Sequence, residues 1–93
     1  MPALLTEDEI TTETARLASW QRTSGKITRR FKFPDFKTAL QFVNAVSVLA
    51  EEANHHPDID IRWNEVLLCL STHSKGGLTK LDFDLAEKIN ALP

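Results

Sequence analysis

The sequence predicts an α+β fold: a four-stranded antiparallel sheet with helices packed on one face, in the order α-β-β-α-β-β-α. Three observations predict it. Segments 26–33 and 59–63 alternate apolar and polar residues with a period of two, and each pairs with a second extended segment across a short turn. Three other segments carry helix-start signals, and the second and third of them go on with helical apolar spacing. Hairpins separated by helices give an antiparallel sheet with the helices gathered on one side. The 93-residue length fits one domain over residues 1–93, with no internal repeat and no linker.

Each element has its own justification. Thr6-Glu7-Asp8-Glu9 is a capping-box pattern with three acids in the first turn, which predicts a short helix over 6–13. Trp20–Thr23 and Lys26–Phe33 read as strands joined at Ser24-Gly25. Ile27, Arg29, Phe31 and Phe33 share one parity, with Arg29 the polar exception on the apolar side. Pro34-Asp35 opens a helix over 35–53. Its residues Phe36, Ala39, Leu40, Phe42, Val43, Val46, Leu49 and Ala50 cover about half the circumference. A helix on a small sheet needs only a stripe. The excess suggests a second packing surface, either another subunit, met at Val46 and Leu49, or a thicker core. Asn54 suits a left-handed helix end. Pro57 forces His56 into extended backbone. Ile59, Ile61 and Trp63 alternate with Asp58, Asp60 and Arg62, then Asn64-Glu65 turns into a nearly continuous apolar strand over 66–72, which belongs at the sheet's centre or across an interface. Thr79-Lys80-Leu81-Asp82 repeats the capping pattern, and Leu81, Leu85, Ile89 and Leu92 form the inner stripe of a last helix.

Composition removes several function classes. Lys and Arg total 11 against 13 Asp and Glu, a net charge of −2, which lacks the basic excess a nucleic-acid partner demands. The basic run 26–32 reads as the wet side of a strand. No apolar stretch approaches the roughly 20 residues of a membrane helix. Cys69 is the single cysteine, so no internal disulfide forms. It lies in an apolar run, where a thiol acts as a small hydrophobe. A lone thiol without a signal peptide fits a reducing, cytoplasmic setting. A core this small often gains stability by oligomerisation.

The chemistry-bearing residues converge. His55 and His56 precede the third strand, and His73 follows the fourth. Those strands form a hairpin, so the three imidazoles fall near one sheet edge. Asp82 starts the next helix and can approach the same edge, and Glu51 and Asn54 lie within a turn of His55. By default each of these is bland: solvated loop histidines, a capping aspartate, a wet helix glutamate. Their convergence is what points to a site. The spacing does not match paired metal-ligand patterns, and adjacent histidines in extended chain point to opposite sides, so a shared metal ion is not expected. Imidazoles titrating near neutral pH suit metal-free acid–base chemistry instead. There is no phosphate loop, nucleophile elbow or CxxC pair.

Glu51-Glu52-Ala53-Asn54-His55-His56-Pro57, then Leu70-Ser71-Thr72-His73, then 78–89 resemble the pterin-4a-carbinolamine dehydratase family. The specific part spans about 40 residues, and the order of the remaining elements agrees. The resemblance implies dehydration of 4a-hydroxytetrahydropterin to quinonoid dihydropterin, in recycling the cofactor of aromatic amino-acid hydroxylases, with no metal or bound cofactor, and assembly as homodimers or homotetramers. By motif position it places catalytic roles on His55 and His73, ring binding on His56, and pterin-adjacent carboxylates on Glu51 and Asp82. Asp82 near His73 would fix that ring's tautomer. Three other readings stand beside it. One is a dimerisation module for a transcription factor, which some members of the family provide and which would not need the histidines. One is a related role in molybdopterin metabolism. The last is a metal-dependent hydrolase.

Overall fold

Thr6 begins the first helix as its side chains predict. The Glu9 N–H donates to Thr6 Oγ1 at 3.2 Å, and the Thr6 N–H donates to Glu9 Oε1 at 2.8 Å. In the computed structural model, which describes residues 2–93, this helix α1 runs Glu7–Arg16. It runs past the expected end at Glu13, and Arg16 bonds Glu13 one turn back, at 3.0 Å.

Strands β1 (Gln21–Thr23) and β2 (Lys26–Lys32) pair antiparallel, with Thr23 opposite Lys26. The left-handed residue of their turn is Ser24 (φ 55°), which precedes Gly25. Trp20 lies before β1 instead of in it: its ring is buried and its Nε1–H donates to Asn90 Oδ1 at 2.7 Å. The polar exception on β2 has a cause. Arg29 lays its guanidinium 4.3 Å from the Phe31 ring centroid and donates to Asn90 Oδ1 at 2.5 Å.

Helix α2 (Phe36–Ala53) starts at Asp35, whose carboxylate accepts the Thr38 N–H at 2.8 Å, and ends at Asn54 in the left-handed conformation (φ 48°), as expected. Strands β3 (Asp58–Arg62) and β4 (Glu65–Leu70) follow. Their turn is Trp63-Asn64, one residue earlier than the expected Asn64-Glu65. Asn64 decides this. Its Nδ2 donates to the Phe33 carbonyl at 2.8 Å, and its own carbonyl accepts the Phe33 N–H at 2.9 Å. Trp63 therefore takes the left-handed position (φ 52°) and its ring lies 69% exposed, outside the alternation of Ile59 and Ile61.

The four strands order as β1-β2-β4-β3, all antiparallel, so the apolar strand β4 is central. Val66, Leu68 and Leu70 on β4 are fully buried under the helices, whereas Leu67 and Cys69 on the other face stay partly exposed. β4 ends at Leu70, two residues short of the expected limit. Thr72 instead bridges to Gly77 around a 3-10 turn at His73–Lys75. Helix α3 (Lys80–Asn90) then starts with the expected Thr79/Asp82 capping box. Leu85 and Ile89 are buried as expected, Phe83 and Ala86 join them, and Leu81 and Leu92 are only half-buried.

The wide apolar arc of α2 divides in two. Ala39, Val46 and Ala50 are buried in the chain's own core, and Leu49 packs partly buried against it; Phe36 and Leu40 on the arc, and Val48 outside it, remain exposed. Val46, with no exposed area, is thus a core residue and not an interface position. Among the described residues no helix is long and apolar enough to cross a membrane.

Two exposed carboxyls lie below the usual carboxylate range. The Thr38 hydroxyl and N–H lower Asp35, and the bonded Arg22 guanidinium lowers Glu7. A depressed carboxyl adds stability above its unfolded pKa of about 4, and that share is lost as pH falls through the folded value. The melting temperature is therefore expected to fall as pH drops below about 4. Asp35→Asn keeps a good cap without a titrating group, so its melting curves should show a shallower acid fall than the parent's.

Candidate functional site

One end of the sheet collects the histidines. β3 begins where β4 ends, with Asp58 opposite Cys69, so the link before β3 and the chain after β4 emerge side by side. Ser71 Oγ donates to the Gly25 carbonyl at 2.9 Å, which ties the β1–β2 turn to the same end.

Asn54 sets His55. Its left-handed backbone reverses the chain, the His55 N–H donates to the Ala50 carbonyl at 3.1 Å, and the imidazole turns inward to 9% exposure. There His55 Nε2 lies 2.6 Å from Asp82 Oδ1. Asp82 has no exposed area. Its Oδ2 accepts the Thr72 hydroxyl at 2.8 Å and the Thr79 N–H at 2.9 Å. A carboxylate has no hydrogen to give, so His55 Nε2 carries one and Nδ1 is the nitrogen left for a ligand.

This corrects the expected pairing: Asp82 holds His55, not His73. The reason is register. The inward parity of Val66, Leu68 and Leu70 continues to Thr72, so Thr72 points at Asp82, while His73, the first residue of the 3-10 turn, turns out to solvent. His73 opens the 3-10 turn, and among the described residues no hydrogen bond holds its ring. His56 also faces solvent, opposite to its neighbour, with Nε2 2.5 Å from Glu51 Oε2. The structure thus joins His55 to Asp82 and His56 to Glu51, and leaves His73 beside them through Thr72.

Thr72 was the residue missed. The signal was present: a threonine at the inward parity of an apolar strand must find a buried partner. Among the described residues no three His, Cys, Asp or Glu side chains are placed to hold one metal ion. Burial pushes the Cys69 thiol up, away from the reactive thiolate. A hollow of about 320 Å³ between α1 and the start of α3 is lined by Asp8, Glu9, Glu13 and Lys80 but by no histidine, so chemistry and not concavity locates the site.

The fold and site define a class: a small α+β protein with a buried carboxylate–imidazole pair at the sheet end, flanked by two open histidines. Residues 3–92 match the family model described as pterin 4 alpha carbinolamine dehydratase, and the chain belongs to that family. A relative from Roseiflexus castenholzii, named "Putative pterin-4-alpha-carbinolamine dehydratase", is 50% identical over 92 residues and 99% of both chains. One of the same name from Acidobacterium capsulatum is 50% identical over 90 residues, 97% of this chain and 98% of its own. The crystal structure of a transcriptional coactivator/pterin dehydratase from Brucella melitensis superposes with a TM-score of 0.90 at 41% identity, over 95% of this chain and 96% of its own. A pterin dehydratase-like protein identified as a RuBisCO assembly factor in the alpha-carboxysome shares the fold, with a TM-score of 0.63 at 23% identity, over 77% of this chain and 83% of its own.

The tautomer can be tested directly. In Asp82→Asn the amide oxygen can keep the Thr72 and Thr79 donors only by turning its NH₂ toward His55. Nitrogen NMR should then find His55 protonated on Nδ1 at high pH, where the parent carries Nε2–H. An unchanged tautomer would refute the assigned bond.

Proposed function

We propose that the chain is a hydro-lyase that dehydrates 4a-hydroxytetrahydropterin to quinonoid dihydropterin, and so serves tetrahydropterin recycling. The observation that carries the reading is the buried Asp82–His55 pair, which leaves His55 Nδ1 free, with exposed imidazoles at the next residue and at the residue after Thr72. Family membership supports it independently.

The reaction needs one proton delivered to the leaving C4a hydroxyl and one removed from N5. The C4a–O bond breaks, water leaves, and a C4a=N5 bond forms, so the proton count closes with no other reactant. Two imidazoles of opposite protonation supply both transfers. His55 and His73 take these roles. The Asp82 carboxylate keeps Nε2–H in place so that Nδ1 exchanges the proton. His56, steadied by Glu51, grips the pterin ring. Nothing in these steps calls on a metal ion or a bound cofactor, and a cytoplasmic setting suits the reaction.

A second reading rests on the exposed α2 residues Phe36, Leu40 and Val48. They would let the chain assemble as a homodimer or homotetramer, or meet another protein, as the name of the Brucella coactivator suggests for that protein. The histidine set adds nothing to such a role, which favours the enzyme.

On a synthetic carbinolamine, His55→Ala and His73→Ala should each lower kcat by roughly 10²-fold with KM little changed, and His56→Ala should raise KM more than it lowers kcat. Chelator treatment should leave the rate unaltered. Normal turnover in a folded His55→Ala, His73→Ala double variant would overturn the mechanism.

Sedimentation at micromolar concentration should show an assembly. Leu40→Glu should weaken it at a smaller cost to the monomer's stability than Val46→Glu, because Leu40 is 37% exposed and Val46 fully buried. A monomeric parent would remove the self-association reading.

A further inference from the structure

The hydrogens around Asp82 can be counted. Thr72 Oγ1 lies 2.8 Å from both Asp82 Oδ2 and Thr79 Oγ1. A carboxylate only accepts, so the single hydroxyl hydrogen of Thr72 goes to Asp82. Thr79 must then give its own hydroxyl hydrogen to Thr72. Thr79 Oγ1 in turn accepts the Leu81 N–H at 3.2 Å. The result is a one-way chain from the Leu81 N–H through Thr79, Thr72 and Asp82, which meets the His55 Nε2–H at the carboxylate. Thr72 is 5% exposed and Thr79 not at all, so water does not compete for these groups.

Thr72 does a second thing. Its N–H donates to the Gly77 carbonyl at 2.9 Å, and its carbonyl accepts the Lys75 N–H at 2.9 Å, which closes the 3-10 turn that carries His73. One residue therefore holds the carboxylate that orients His55 by its side chain and the turn that presents His73 by its backbone.

We propose that Thr72 is a positioning residue for both imidazoles, fixing the His55 tautomer through Asp82 while holding His73 within reach of the same ligand. The catalytic part of this proposal rests on the dehydratase reading; the tautomer part does not. Thr72→Val keeps the shape and the backbone bonds but removes the hydroxyl, and it leaves Thr79 without its acceptor.

Kinetics and nitrogen NMR of the full chain, each with a melting curve, test it. Thr72→Val should lower kcat on a synthetic carbinolamine about ten-fold, the worth of one hydrogen bond to a charged group, with KM changed by less than about two-fold. It should also displace the pH profile of kcat, and because the carboxylate released at Oδ2 can turn away from His55 Nε2, it should give His55 signals of mixed tautomers. Thr72→Ser restores the hydroxyl and should restore the rate, the profile and the single tautomer. A folded Thr72→Val with parental kcat and an unmixed His55 spectrum would overturn the proposal. So would equal loss in the valine and serine variants, since that tracks packing and not the hydroxyl. If the valine variant does not fold, the parent decides: neutral His55 bearing its hydrogen on Nδ1 would contradict the chain. A parent inactive on the carbinolamine would end the dehydratase reading, while the His55 spectra would still decide whether Thr72 positions that ring.

Discussion

A carboxylate with no exposed area has to be surrounded by donors, and meeting that demand organises the end of the sheet that holds the candidate site. Asp82 is reached by the last inward residue of the central strand's path, by the N–H that starts α3, and by a histidine from the link between α2 and β3. Three stretches of chain, one of them 27 residues away, are thereby pinned to one carboxylate. Leaving any donor out would leave a buried charge under-solvated, so each contact supports the others. The helix cap and the histidine's orientation are one interaction and not two.

α3 is held at its other end in a similar way. Asn90 accepts Trp20 Nε1–H at 2.7 Å and Arg29 at 2.5 Å through one oxygen, and donates to the Ala18 carbonyl at 3.0 Å. Between these polar clamps, Phe83, Leu85, Ala86 and Ile89 supply apolar burial against the sheet and α2. Burial alone would tolerate a slide or rotation of the helix, since hydrophobic contact is non-directional. The polar ends remove that freedom, and the position of Asp82 relative to His55 follows from it.

Much of this was legible in the sequence, for identifiable reasons. The capping boxes at Thr6 and Thr79, the left-handed end at Asn54 and the central place of β4 each depend on a few adjacent residues, and each appears as read. The misses depend on contacts between distant segments. The turn moved to Trp63-Asn64 because the Asn64 amide bonds Phe33. Arg29 could sit on the apolar side because Phe31 and Asn90 receive it. Val46 turned out to be core because the arc of α2 that meets α3 and β4 is set by packing, not by periodicity. At the candidate site the residues were named from their motif, but not their pairing. Asp82 went to His73 in the sequence because both lie on the same stretch of chain; strand parity sends Thr72 inward in its place.

That parity also explains how one site holds histidines in such different states. At Thr72-His73, where the extended chain gives way to the 3-10 turn, and at His55-His56, one residue is buried and the next exposed. Each pair therefore offers one inward and one outward group. The inward members, Thr72 and His55, meet Asp82 in the core, and the outward members, His73 and His56, stand at the surface beside them. A flat ring resting there would meet one imidazole locked by the core, one steadied at the surface by Glu51 and one free to adjust. The rigidity comes from residues that the fold needs in any case, so a chain of 93 residues can carry an ordered site without a separate scaffold for it.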